Sequence, residues 1–297
     1  MMKRRDFFRN AAALPTLAAS AAVVDMSGVK SRQAAKWEIV YKTPHAKPNA
    51  LDMSREGMWI LDQGPDSWVS LVNFADGKVI REFKTAATAG SGLTVDEHGV
   101  MWIASTHDSM MVSCSPKDGK TIAKYWTPGA GRIYQMKGDA PPRRTKLDPA
   151  YPPEPRQAGE GGGRRAPELP YGQLPIETTD GNGGTGAHGI VAKDGLLYFV
   201  VPPARFLVVM EPKSWVVQKT WPVPGNRTHG LTWDENRETL WNADSNLNAF
   251  YRFDMNGKVL EKIQLSDDSP VIHGATLHDG QMLCCDDVGW IWRFKMS

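Results

Sequence analysis

The feature that most constrains the fold of this 297-residue chain is a short pattern that recurs about every 42 residues. Each copy begins with a small residue, continues as a strand-like run and then reaches a turn. Successive copies begin 42, 97, 41 and 44 residues apart, and the 97-residue step equals two such steps plus 13. The copies begin at Ala50, Gly92, Gly189, Gly230 and Gly274. A period near 42 with several short strands in each unit is typical of the blades of a β-propeller.

One copy divides readily into four strands. In the copy that begins at Gly230, "GLTWD", "TLWNAD", "AFYRFD" and "KVLEKIQL" are strand-like, and "DENRE" and "MNG" supply turns between them. The last copy ends after "WIWRF", one strand short, and the segment 36–44, "KWEIVYKTP", supplies a candidate for the missing strand. The sequence therefore predicts an all-β fold, a single β-propeller of four-stranded blades closed by an N-terminal strand.

A long segment, residues 129–187, interrupts the repeat. It is rich in proline, glycine and arginine and has almost no alternation of apolar and polar residues. Two interpretations follow from its length: a long surface insertion, or a degenerate sixth blade. We expect five blades and an insertion, with six blades as the alternative.

The N-terminus, residues 1–25, is predicted to be a twin-arginine export signal. Arg4 and Arg5 precede an aspartate and two phenylalanines, and a modest apolar stretch leads to "ASA", a plausible cleavage site. The apolar stretch is too short for a membrane span. We therefore expect the propeller, residues 36–297, to be periplasmic or secreted after signal removal, with the twin-arginine export machinery as a partner.

Charge and cysteine content narrow the function classes. The formal net charge is +2, with both signs spread along the chain, which gives no electrostatic case for a nucleic-acid partner. The three cysteines do not form a disulfide pattern, and Cys114, Cys284 and Cys285 are predicted to be core or strand residues. A small-molecule substrate is the partner that fits these observations.

The repeat also predicts where polar side chains converge. The innermost strand of each blade lines the central channel of a propeller, so the residues directly before these strands ring the channel mouth. They are Asn49, Ser91, His188, His229 and His273. Three imidazoles that converge from three consecutive blades suit a transition metal, with zinc or iron favoured. Histidines that only bond backbone or carboxylate groups are the alternative.

Other candidate site residues lie near the same face. Asp62, Asp244 and Asp286 end the second strands of their blades, and His107 lies at the corresponding place in another blade. Such carboxylates could orient the imidazoles or act as bases, or they could simply begin turns. Arg132 and Tyr134, at the root of the insertion, are candidate substrate contacts.

The units "HGLTWDENRETLWNADSNLNAFYRFD" and "GLTVDEHGVMWIAST" resemble those of the gluconolactonase, or senescence-marker-protein, superfamily, and also NHL-type propellers and virginiamycin B lyase. The resemblance covers residues 36–128 and 188–297. It implies a metal held by residues directly before the innermost strands, here Asn49 with His188, His229 and His273. It also makes calcium possible as the metal, and lactone hydrolysis possible as the activity. A three-histidine zinc site on a propeller axis is similar to that of peptidyl-hydroxyglycine amidating lyase.

These observations favour an exported, metal-dependent hydrolase or lyase that acts on a small molecule at the channel mouth. Asp244, Asp62, Tyr134, Arg132 and His107 are its candidate catalytic residues. The alternatives are a non-catalytic propeller that binds a ligand or a protein at the same face, and a purely structural exported propeller.

Overall fold

The computed structural model describes residues 24–131, 133, 139, 140, 143 and 185–296. Within these ranges the regular secondary structure is entirely β, and no helix is long and apolar enough to cross a membrane. The predicted export signal lies almost wholly outside the described residues, as does most of the insertion.

Five antiparallel four-stranded sheets form the blades of a propeller. The chain first contributes two separate strands, β1 (Lys30–Gln33) and β2 (Glu38–Lys42). Blade 1 is β3 (Pro48–Met53), β4 (Met58–Asp62), β5 (Trp68–Val72) and β6 (Val79–Lys84), and blade 2 is β7 (Gly90–Val95), β8 (Met101–Ser105), β9 (Met110–Cys114) and β10 (Thr121–Trp126).

The last three blades follow the insertion. Blade 3 is β11 (Ile190–Lys193), β12 (Leu196–Val201), β13 (Phe206–Glu211) and β14 (Val216–Pro222). Blade 4 is β15 (Thr228–Asp234), β16 (Thr239–Asp244), β17 (Ala249–Phe253) and β18 (Val259–Gln264). Blade 5 is β19 (Ala275–His278), β20 (Gln281–Cys285) and β21 (Trp290–Lys295), completed by β2.

The ring closes with five blades. Blades 2 and 3 are direct neighbours, because Gly92 of β7 packs against the carbonyl of His188 just before β11. At the other end, Gly274 packs against Ala50 of blade 1. Residues 129–187 therefore do not stand between two blades as a sixth. The predicted N-terminal closing strand is confirmed, since β2 pairs antiparallel with β21.

One strand was not predicted. β1 pairs in parallel with β18 and adds a fifth strand to the outer edge of blade 4. Arg32 on β1 and Arg252 on β17 both bond the Glu261 carboxylate, at 2.8 and 3.1 Å. The N-terminal chain thus covers an edge that would otherwise present unpaired backbone groups.

Local sequence accounts for the blade geometry. The first three strands of each blade are largely buried because blades pack face to face, whereas outermost strands such as β6 and β10 are largely exposed. Asp194–Gly195 and Asp279–Gly280 both have positive φ angles, of 52° and 74° and of 46° and 70°. Such Asp-Gly pairs make the tight hairpins between the two innermost strands of blades 3 and 5.

Candidate active site at the channel mouth

Five residues lie at or just before the start of the innermost strands, and we call this group the mouth ring. All five are buried, with exposed fractions between 1% and 7%. Asn49 Nδ2 donates to Ser91 Oγ at 2.8 Å, which joins the ring across blades 1 and 2. The mouth ring consists of Asn49, Ser91, His188, His229 and His273.

Glycine follows most mouth-ring residues because the backbones of neighbouring blades nearly touch there. A Cβ on Gly92 would lie 2.0 Å from the carbonyl oxygen of His188, and one on Gly189 would lie 2.2 Å from that of His229. The Gly189 amide donates to the same His229 oxygen at 2.7 Å. Glycine is therefore required at Gly92 and Gly189 because the neighbouring backbone leaves no room for a Cβ, and not because the backbone is left-handed.

The three imidazoles are in direct contact. The ring centroids of His188 and His229 are 4.5 Å apart with an edge-to-face angle of 73°. The rings of His229 and His273 are stacked, 4.8 Å apart and only 10° from parallel. The predicted convergence of three histidines from blades 3, 4 and 5 is therefore present in the structure.

Two of the imidazoles have hydroxyl partners. His229 Nδ1 lies 2.6 Å from Ser245 Oγ, and His188 Nε2 lies 2.9 Å from Thr185 Oγ1. The other nitrogen of His188, Nδ1, is buried and has no hydrogen-bond partner among the residues that the structure describes. His188 therefore presents a polar atom that a bound molecule could satisfy.

Burial and a nearby cation keep the cluster neutral. Desolvation lowers the pKa of His188 and of His229 well below the usual range, and that of His273 to about 4. The Arg227 guanidinium contributes to all three shifts, while the Asp287 carboxylate opposes the shift of His273. At neutral pH the mouth thus holds three uncharged imidazoles beside one arginine.

The predicted carboxylates bond backbone amides. Asp62 accepts from the Lys47 and Gly64 amides at 2.6 and 2.7 Å. Asp244 accepts from the amides of Arg227, Asn246 and Leu247 at 2.8 to 3.0 Å. Both carboxylates thus brace the turn after the second strand, and each ties it to the segment that leads into the mouth ring.

Asp286 stabilises the corresponding turn in blade 5, with all its hydrogen bonds inside that turn. Its Oδ1 accepts from the Val288, Gly289 and Trp290 amides at 2.8 to 3.0 Å, while its Oδ2 is buried and has no partner in the described ranges. Burial raises the pKa of Asp286 to about 7 and that of Asp244 to about 6.

The residues that act on the imidazoles come one position later in the chain. Ser245 follows Asp244 and contacts His229, and Asp287 follows Asp286 and acts electrostatically on His273. Sequence reasoning missed both, together with Arg227 and Thr185. Ser245 and Asp287 lie just beyond the ends of β16 and β20, where the turn and not the repeat decides which side chain faces the mouth.

The remaining predicted residues lie in an exposed turn, outside the described residues, or away from the mouth. His107 is exposed in the turn after β8, and its electrostatic interaction with His188 contributes, after burial, Arg227 and His273, to the lowered pKa of His188. Arg132 and Tyr134 lie outside the described residues. His98 lies in the turn after β7 and His278 ends β19, both away from the mouth as expected.

Two described residues of the insertion touch loops of other blades. Asp139 makes a two-pronged ion pair with Arg205, in the turn between β12 and β13, at 2.8 and 2.6 Å. Arg143 donates to the Asp267 carbonyl at 3.0 Å, between β18 and the mouth-ring residue His273. The neck of the insertion is closed by two backbone hydrogen bonds between Gly131 and Thr185.

The axial channel below the ring is narrow. Its cavity measures about 10 Å³ and is lined by the innermost strands, including Leu51, Leu93 and Leu231. A volume of this size accommodates about one water molecule. The axial channel is therefore too narrow to hold a substrate.

The orientation of the imidazoles bears on the predicted metal site. Nitrogen lone pairs lie in the plane of an imidazole, and those of two nearly parallel stacked rings do not meet at one point. Among the residues that the structure describes, no group of three or more His, Cys, Asp or Glu side chains is arranged to hold a metal ion. Two buried atoms at the mouth, His188 Nδ1 and Asn49 Oδ1, have no hydrogen-bond partner within the described part of the chain and are suitable ligand atoms.

Fold and site together define a five-bladed β-propeller with a histidine-lined mouth. No protein-family model and no curated protein matches the sequence. The crystal structure of Myxococcus xanthus glutaminyl cyclase is similar, with a TM-score of 0.56, 9% identity, and 90% of this chain and 97% of that chain covered.

Virginiamycin B lyase from Staphylococcus aureus has a TM-score of 0.48 and 15% identity, with 88% of this chain and 99% of that chain covered. A streptogramin B lyase has the same score and 16% identity, with coverages of 89% and 98%. The likeness to the glutaminyl cyclase, together with the ring of five sheets, confirms the predicted β-propeller fold.

Proposed function

We propose that this protein is an exported enzyme, a lyase or hydrolase, that acts on a small molecule at the channel mouth. One observation carries the proposal: three buried imidazoles from three consecutive blades contact one another and are held neutral beside Arg227. Neutral imidazole is the form that accepts a proton, and negative charge that develops on a bound substrate would raise the lowered pKa of the cluster toward the range of a general base.

The chemistry follows from the charges around the cluster. An imidazole would remove a proton from the substrate, or from a water that attacks it, and would become an imidazolium ion. The pair of electrons left on the substrate creates negative charge, which the Arg227 guanidinium would stabilise. Return of the proton to the leaving group completes either an elimination or a hydrolysis.

The surroundings of the mouth favour a small substrate. The axial cavity admits no more than about one water molecule, and the Asp139–Arg205 and Arg143–Asp267 contacts hold the start of the insertion against mouth-side loops. A ligand therefore has to fit between these loops and the imidazoles.

A metal-dependent version of the same function is the second candidate. His188 Nδ1 and Asn49 Oδ1, both buried and without a partner in the ranges that the structure describes, favour it, with His229 and His273 as further ligands once their rings turn out of the stack. Zinc or iron suits imidazole nitrogen best, and calcium is possible through the Asn49 oxygen. A bound metal would polarise the substrate or lower the pKa of a water.

The test compares five single histidine-to-glutamine variants of the full chain. Hydrolysis of p-nitrophenyl acetate and γ-butyrolactone is measured, together with metal content per chain after incubation with zinc, iron or calcium. His188→Gln, His229→Gln and His273→Gln should each lose at least about 100-fold in activity, because a general base typically contributes that much. His98→Gln and His278→Gln are the matched controls and should retain it.

The possible results separate the candidates. Loss of metal together with activity supports the metal-dependent version, whereas loss of activity in a metal-free protein supports the imidazole base alone. An elimination is recognised by the absorbance of its unsaturated product. If all five variants behave like the wild type, the enzyme proposal is wrong and the non-catalytic binding propeller takes its place.

A further inference from the structure

Ser245 is a buried hydroxyl that joins two histidine-bearing segments. It has no exposed surface and follows β16, where its amide donates to the Arg227 carbonyl at 3.0 Å. Its Oγ contacts two groups, His229 Nδ1 at 2.6 Å and the carbonyl oxygen of Ile272. Ile272 directly precedes His273, so one hydroxyl connects the mouth segments of blades 4 and 5.

The Ser245 hydroxyl can donate its hydrogen to only one of these two partners. A serine hydroxyl carries a single hydrogen, and a backbone carbonyl can only accept. The hydroxyl must therefore donate to Ile272, and its oxygen must accept from the other partner. His229 Nδ1 consequently carries a hydrogen. In a neutral imidazole only one nitrogen is protonated, so Nε2 of His229 holds the free lone pair.

We propose that Ser245 is a positioning residue that fixes His229 as the Nδ1–H tautomer and thereby makes His229 Nε2 the proton-accepting atom. This assignment of a catalytic use rests on the proposed function. When Nε2 takes a proton, the Nδ1–H bond to Ser245 persists unchanged, so the hydroxyl does not have to rotate during the reaction. The same bond also holds the His229 ring parallel to that of His273.

The tautomer is measured without any substrate. Long-range proton–nitrogen NMR spectra of the ¹⁵N-labelled full chain at neutral pH should show His229 with a protonated Nδ1 and an unprotonated Nε2. Its signals are assigned by their loss in His229→Gln. Ser245→Ala should shift His229 toward the other tautomer or a mixture, because Nδ1 loses its acceptor.

A matched control is available in blade 2. Ser113 is also buried, and its hydroxyl also donates to a backbone carbonyl, that of Ala123 at 3.4 Å, but no imidazole is among its hydrogen-bond partners. Ser113→Ala should leave the His229 spectrum and the activity unchanged. A wild-type spectrum with an unprotonated Nδ1, or an unchanged tautomer in Ser245→Ala, would overturn the proposal.

Measurements of kcat then test whether Ser245 contributes to catalysis. Ser245→Ala should lower kcat by about 10- to 100-fold, the range expected when a buried hydrogen-bonding group loses its partner. Ser245→Thr keeps the hydroxyl and should keep the tautomer, which also covers the case of an alanine variant that does not fold. In the His229→Gln background, Ser245→Ala should have no further effect on kcat, because it acts through that ring.

The two proposals fail in different ways. If the spectra show the Nδ1–H tautomer and its loss in Ser245→Ala while His229→Gln keeps full activity, the enzyme proposal is wrong and the tautomer assignment stands. If His229→Gln is inactive but Ser245→Ala has wild-type kcat, the enzyme proposal stands and the positioning role is refuted.

Discussion

Replacing His273 with glutamine should make the protein less sensitive to acid than the wild type. His273 is 6% exposed, and burial is the main reason that its pKa falls from 6.5 to about 4. Between these two pH values the unfolded chain binds a proton at this residue and the folded chain does not. The free energy of unfolding therefore decreases as the pH falls from about 6.5 toward 4.

The size of the effect follows from the shift. A difference of about 2.5 pKa units corresponds to about 3 kcal/mol at 1.36 kcal/mol per unit. His273→Gln lacks this term, so its stability relative to the wild type should rise by about 1–3 kcal/mol between pH 7 and pH 4. The lower figure allows for relaxation of the stacked His229 ring when His273 is replaced.

The unfolding free energies of the variant and the wild type have to be compared at each pH, because other buried groups stabilise the fold as the pH falls. The buried carboxyls of Asp244 and Asp286 have raised pKa values, of about 6 and 7, so the folded chain binds protons there before the unfolded chain does. These groups stabilise the fold as the pH falls and partly mask the histidines. They are present in wild type and variant alike and cancel in the comparison.

The assay is urea unfolding, followed by circular dichroism, of both proteins at four pH values from 4 to 8. His278→Gln serves as the control, since this residue lies away from the mouth with a third of its side chain exposed, and its difference curve should be flat. A flat curve for His273→Gln as well, or one that falls toward acid, would refute the claim that His273 is buried as a neutral imidazole.

Three further predictions concern other parts of the chain. Deleting residues 145–180 should leave a folded propeller with a melting temperature within a few degrees of the wild type, because the five-blade ring closes without them; an unfolded product by circular dichroism would contradict this. Exchanging Arg4 and Arg5 for lysine should stop export if the twin-arginine assignment is right, and normal processing in a fractionation experiment would disprove it. None of the three cysteines should react with Ellman's reagent in the native state, since all are buried and burial raises the pKa of Cys114 to about 12, whereas all three should react in urea.

The blade register and ring order could be predicted because a fixed period places equivalent residues at equivalent positions, whereas the 97-residue step left six blades open beside the expected five. β1 could not be predicted in the same way. Its four residues, "KSRQ", have no apolar alternation, and β1 pairs with β18, which lies more than two hundred residues further along the chain. A strand that only covers an edge needs backbone hydrogen bonds and carries no side-chain signature.

The mouth ring could be predicted for the same reason as the blades, but the partners of its imidazoles could not. Whether Asp244 or Ser245 faces His229 depends on where the strand ends and the turn begins, which is a shift of one residue. Beside the stacked rings of His229 and His273, Ser245 bonds both His229 and the Ile272 carbonyl of the next blade. Contacts of this kind are set by packing between blades and leave no pattern in one sequence.

The His-Gly pairs connect the packing of the propeller to its chemistry. Because Gly92 and Gly189 lack a Cβ, the carbonyls of His188 and His229 come close to the neighbouring innermost strands, and the blades close tightly around the axis. The same close approach seals the channel and brings imidazoles from adjacent blades to within 5 Å of one another. A side chain at either glycine would push neighbouring blades apart and separate the rings. The position that stabilises the axis is thus also the one that assembles the cluster, which explains why histidine and glycine occur as a pair in three consecutive blades.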